Sequence, residues 1–179
     1  MSKNFTELAN FIWQVADLLR GDYKQADYGK VILPFTLLRR LDCVLEATRD
    51  DVLKEHEKRK AEGVNLDTFL KRKSKQSFYN TSPFTVPGLL ADPGNILKNL
   101  TAYVTDFSAD ARDVFERFKF TAQIADLDDK NLLYLIVQKF ATVALHPDTV
   151  PNETMGLVFE ELIRKFSELS NETAGEHFT

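Results

Sequence analysis

The chain has 179 residues, 44% of them hydrophobic and 28% charged, with a formal net charge of −4. That is enough to bury one real core, and it excludes a disordered, collagenous or disulfide-rich chain. No segment approaches the roughly 20 apolar residues of a membrane helix, and the amino terminus lacks a signal-peptide pattern. A single cysteine, Cys43, cannot form an internal disulfide and fits a reducing compartment, so the protein is read as cytoplasmic.

Only 7 Gly and 6 Pro are present, so helices are favoured over turn-rich β architecture. The first helix is predicted from about Asn4 to Arg20, with Leu8, Ile12, Ala16 and Leu19 at helical spacing and Gly21 as its stop. Asp27 is read as the cap of a long second helix carrying Ile32, Phe35, Leu38, Leu41, Leu45 and Val52. Pro34 either kinks it or marks its true start, and the helix fades through a charged run to stop at Gly63. Asn65 caps a short helix reaching Lys73. Helical period is then lost over about 74–94, a long loop whose stretch 74–90 holds two prolines and three aromatics, with an extended piece near Phe84 to Val86.

Asp92-Pro93 is read as cap and first residue of a helix presenting Ile96, Leu100, Val104 and Phe107. Ser108 caps the next, with Val114, Phe115 and Phe118. Asp128 or Asp129 caps one carrying Leu132, Leu135, Ile136, Phe140 and Val143, ending at His146-Pro147. Asn152 caps the last, with Met155, Val158, Leu162 and Phe166 on one face. The predicted fold class is all-α, a multi-helix bundle of about six to eight helices with the single irregular loop.

Chemistry-bearing motifs are sparse. No glycine-rich phosphate loop and no Cys/His cluster with metal spacing occurs, and His56, His146 and His177 are far apart in sequence. No catalytic residue and no metal ligand is assigned. The carboxylate pairs Asp128-Asp129 and Glu160-Glu161 are read as a helix start and a polar helix face, and His146 as a helix-end dipole partner. Trp13 is assigned to core packing. Between Lys54 and Lys75, eight Lys/Arg face four Asp/Glu, a local +4 that leaves −8 on the rest. Within it, K-R-K-S-K-Q-S-F-Y makes Lys71, Arg72, Lys73 and Lys75 the candidate DNA contacts, since cations neutralise phosphates and aromatics stack on exposed bases. The bland alternative is a solvated face.

Two stretches, F-I-W-Q-V-A-D-L-L-R-G…Y-G-K-V-I-L-P-F-T-L-L-R-R-L-D (11–42) and M-G-L-V-F-E-E-L-I-R-K-F…G-E-H-F-T (155–166 and 175–179), resemble the N-terminal helical domain of the modification (M) subunit of type I restriction-modification systems. The resemblance implies a helical domain over 1–170. It makes 171–179 the lead into a catalytic domain absent from this chain, so the chain by itself is expected to be inactive. In that family G-E-x-[FY]-T opens the S-adenosyl-L-methionine pocket, so Glu176, His177, Phe178 and Thr179 are the implied cofactor-facing residues. The whole subunit would methylate adenine N6 in double-stranded DNA, on a base swung out of the stack. Implied partners are a specificity (S) subunit, a second M subunit and a restriction (R) subunit. The competing reading is a stand-alone helical protein-interaction or nucleic-acid-binding module without catalysis.

Overall fold

The computed structural model describes the backbone of residues 5–178 and the side chains of residues 6–171. The α-helices are α1 (Phe5–Leu19), α2 (Tyr28–Leu45), α3 (Arg49–Arg59), α4 (Asp67–Ser74), α5 (Ile96–Thr105), α6 (Ala109–Arg117), α7 (Phe120–Asp129), α8 (Leu133–Ala141) and α9 (Asn152–Phe178). The described residues contain no strand, only isolated bridges such as Asn80 with Phe107. Since α2 passes into α3 through a 3-10 turn at Glu46–Thr48 without a break, the helices form eight bodies, as the all-α reading expects.

Helix α2 is the axis of the bundle, with α1, α7, α8 and α9 packed around it. Almost every residue from Tyr28 to Leu45 is buried or half-buried, which is why its sequence reads as nearly continuously apolar. Pro34 lies inside the helix, so Tyr28 and not a later residue is its start. Gly29 lets α9 approach closely: a Cβ there would sit 2.9 Å from the Phe166 Cβ. Around this axis the phenylalanines form a continuous chain of ring contacts. It runs Phe11–Phe140–Phe35–Phe120–Phe115–Phe107–Tyr103, with centroids 4.9–5.5 Å apart. Each such pair adds about 0.5–1.5 kcal/mol beyond the area it buries.

Several local expectations are corrected. A helix that the periodicity did not separate, α7, occupies Phe120–Asp129, so Asp128 and Asp129 end a helix instead of capping the next one. The chain turns at Asn131, whose φ of 59 lies in the left-handed region, before α8 begins. Helix α8 stops at Ala141, leaving His146 in the connection, where its Nδ1 accepts the Asp148 N–H at 3.1 Å. It is not a helix-end partner. The stretch 84–86 forms no strand. Helix α5 ends before Phe107, and Asp92-Pro93 opens a 3-10 turn ahead of it. Trp13 is not core: it is 40% exposed, resting against Phe166. Gly63 does stop the α3 segment, at φ 71.

Candidate functional site

Helices α3 and α4 form a hairpin with its own small core of Val52, Leu70 and Tyr79, distinct from the main one. Arg59 lies over the Phe69 ring, 3.8 Å from its centroid. The four carboxylates of the segment are all engaged locally. Glu55 and Glu62 take Arg59, Glu57 takes Lys60 at 2.9 Å, and Asp67 accepts the Tyr79 hydroxyl. Those interactions hold the Glu55 and Glu57 carboxyls below the usual range, while burial beside Asp67 pushes the Tyr79 phenol up.

The remaining cations, Lys54, Lys58, Lys71, Arg72, Lys73 and Lys75, make no direct ion pair among the described residues; Lys58 and Lys73 only help from a distance to hold Glu55 charged. The structure therefore brings the four sequence candidates together on the last turn of α4 and just past it, where cations also suit the helix dipole. Lys75 closes that helix at φ 61. On α3, exposed Lys54 and Lys58 also have no direct ion pair among the described residues, which the sequence does not show because their helix also carries Glu55 and Glu57. Of the implied cofactor residues, Glu176, His177 and Phe178 fall in the final turns of α9; their side chains, and all of Thr179, lie outside the described residues.

The hairpin is fastened to the bundle by polar contacts. Tyr79 N–H donates to Ser108 Oγ at 3.1 Å, and Ser108 N–H donates to the Tyr79 carbonyl at 2.9 Å. Ser108 sits at the start of α6, as expected of a cap, but its hydroxyl is occupied by this clasp. Asn80 Nδ2 donates to the Tyr103 carbonyl at 2.9 Å. Between hairpin and bundle lies a cleft of about 300 Å³, lined by His56, Asp67, Tyr79, Asp106 and Arg112. Burial raises the Asp106 carboxyl pKa there, against the pull of His56. Its mixed signs do not make a phosphate cradle.

The deepest fastening has no motif in the sequence. Asp42, 2% exposed, accepts Arg39 Nη1 at 2.7 Å, Arg49 Nη2 at 3.0 Å, the Val86 N–H at 3.2 Å and the Tyr103 hydroxyl at 2.5 Å. Burial first, then the Asp42 charge, drives the Tyr103 pKa far above its ordinary value. Arg39 Nε also reaches the Val143 carbonyl at 2.8 Å. Arg40 donates to the carbonyls of Leu145 and Val150 at 2.8 and 2.6 Å and to Asn152 Oδ1 at 2.7 Å. Asn152 thus begins α9 but gives its side-chain oxygen to Arg40. One signal was available: the charges of L-L-R-R-L-D stand inside an apolar helix, and charged side chains are almost never fully buried unless paired. This network ties α2 at once to the hairpin, to α5 and to the connection that aims α9. Among the described residues no group of three or more His, Cys, Asp or Glu is placed to hold a metal, and no helix is long and apolar enough to cross a membrane.

Fold and site together define an all-helical scaffold domain carrying a cationic arm. The chain matches the family described as the HsdM N-terminal domain over residues 8–140, and it belongs to that family, the N-terminal domain of the modification subunit of type I restriction-modification systems. The matched span holds the first resembling stretch, the hairpin and Asp42 with its four donors; it ends before the carbonyls that take Arg39 and Arg40 and before the second stretch at 155. No curated protein and no solved structure matches the chain.

Proposed function

We propose that this domain is the DNA-clamping and subunit-interaction module of a type I modification subunit, with the α3–α4 hairpin as its DNA-facing arm. The observation that carries the reading is charge accounting over 54–75: its four carboxylates are occupied locally, while six of its cations have no direct ion pair among the described residues; the exposed Asp50 and Asp51 lie at the opposite, first turn of α3. Such cations release counterions on meeting phosphate, and a rigid clasp fixes their register without reading bases.

In the same reading the whole subunit transfers a methyl group from S-adenosyl-L-methionine to adenine N6. Glu176, His177, Phe178 and Thr179 contribute its first cofactor-facing positions. Sequence choice belongs to the S subunit, a second M subunit closes the clamp, and the R subunit joins for cleavage.

The test uses full-length modification subunit assembled with its specificity subunit on duplex DNA. Neutralising Lys71, Arg72, Lys73 and Lys75 to Gln should weaken binding uniformly across sequences. The salt dependence should flatten by about 0.9 in log–log slope for each phosphate that no longer meets a cation. An unchanged affinity and slope would remove the hairpin from the DNA surface.

A further inference from the structure

Helix α2 is enclosed on all sides but one. Only Lys30 of its residues is exposed, and its half-buried positions are Leu33, Leu37, Leu41 and Val44, at i, i+4, i+8 and i+11. The axis of the bundle therefore shows an aliphatic stripe where a helix of this depth would normally have another neighbour. Over Leu37 and Leu41 the stripe becomes the floor of an open groove of about 210 Å³. Phe78 forms one wall, and Ala111 and Val114 of α6 form the other, with Asp110 at its lip.

The two lips differ in charge. Ser74 Oγ donates to the Phe78 carbonyl at 2.8 Å, folding the end of α4 against the first wall, so the exposed Lys75, inside that turn, stands on that side. Exposed Asp110 and Asp113 stand on the α6 side, and neither has an ion-pair partner among the described residues. The groove is smaller than the roughly 300–1,000 Å³ of a drug-sized ligand site. Its size suits one large apolar anchor, the unit by which helix-in-groove recognition is seated.

We propose that this groove receives an amphipathic α-helix of a partner polypeptide, seated by one large apolar side chain over Leu37 and Leu41, with acidic residues on its flank toward Lys75 and basic residues on its flank toward Asp110. The apolar floor does not depend on the hairpin contacting DNA; Lys75 is common to both readings, and the methyl shifts of Leu37, Leu41 and Val114 test the groove without it.

The probe is a synthetic helical peptide of about 18 residues, or five turns, with Leu along one face, Glu on one flank and Lys on the other. Titrated into the chain at low salt, it should shift the methyl resonances of Leu37, Leu41 and Val114 saturably. Leu41→Gln should weaken binding by about tenfold or more, the scale of removing an apolar anchor's seat. Val114→Gln, on the other wall, gives the same readout if the first variant melts early. A peptide with its Glu and Lys flanks exchanged should bind several-fold more weakly at low salt and equally at high salt. Absence of saturable shifts, equal affinity for both peptides at low salt, or the same methyl shifts on raising protein concentration without peptide would overturn the proposal; the last would assign the groove to a second copy.

Discussion

Replacing Asp42 with Asn tests whether the bundle is held by a compensated buried charge or only by its apolar core. The Asp42 side chain is 3% exposed and its partners Arg39 and Arg49 are 10% and 13% exposed, so water cannot restore what the substitution removes. Four donors converge on the carboxylate. An amide of the same shape has one acceptor oxygen and an NH₂ that points donors at donors, and it leaves two guanidinium charges without a counter-charge. Breaking a buried pair in this way costs about 3–5 kcal/mol, against a total stability of about 5–15 kcal/mol for a domain. With a urea slope near 2 kcal/mol/M, the midpoint should fall by about 1.5–2.5 M at unchanged slope. Tyr103→Phe should cost about 1–1.5 kcal/mol in the parent and clearly less in the Asp42→Asn background, because the acceptor is already impaired. The triple change Asp42→Leu, Arg39→Met, Arg49→Met should be less damaging than Asp42→Asn alone, since removing all the charges leaves none uncompensated. A midpoint for Asp42→Asn within about 0.3 M of the parent would refute the reasoning, as would additive behaviour with Tyr103→Phe.

Gly29→Ala places a Cβ 2.9 Å from the Phe166 Cβ, an atom that moves only with the backbone of α9. Overpacking of about 1–3 kcal/mol then exceeds the helix-propensity gain of about 1 kcal/mol, so a thermal melt should shift down by several degrees; no shift or a gain would show that α9 yields freely. Arg40→Met leaves the carbonyls of Leu145 and Val150 without their donor, and hydrogen exchange should report faster opening of 142–151 and the start of α9 than of α5. Tyr23, Tyr79 and Tyr103 all have phenol pKa values raised in the fold, chiefly by burial. A raised folded-state pKa means their contribution is complete below the unfolded value of about 10 and is lost as pH climbs above it, so stability should fall steeply above pH 10, and Tyr103→Phe should flatten that fall. The Gln substitutions at Lys71, Arg72, Lys73 and Lys75 should leave the urea midpoint nearly unchanged, because these cations have no direct ion pair to lose; a marked loss would make the cluster structural.

What the sequence determined by itself was local. Apolar residues at helical spacing set the helices, Gly63 ended the α3 segment, and an excess of cations marked 54–75, because periodicity, φ > 0 and charge are properties of neighbouring residues. Even there, short range misled at Asp128-Asp129, since an aspartate pair looks the same at either end of a helix and only the left-handed turn at Asn131 separates the two cases. The tertiary structure decided which charges are free and which are bound. Asp42 meets Tyr103 across 61 positions, and Arg40 meets Val150 across 110. In the string, L-L-R-R-L-D is indistinguishable from a helix with a polar edge. It becomes the bolt of the bundle only because α2 lies at the centre, where every charge must be compensated: the opposite charges, Arg39 and Arg49 for Asp42, are local, but the carbonyls that take up Arg39 and Arg40 lie 104 to 110 residues away.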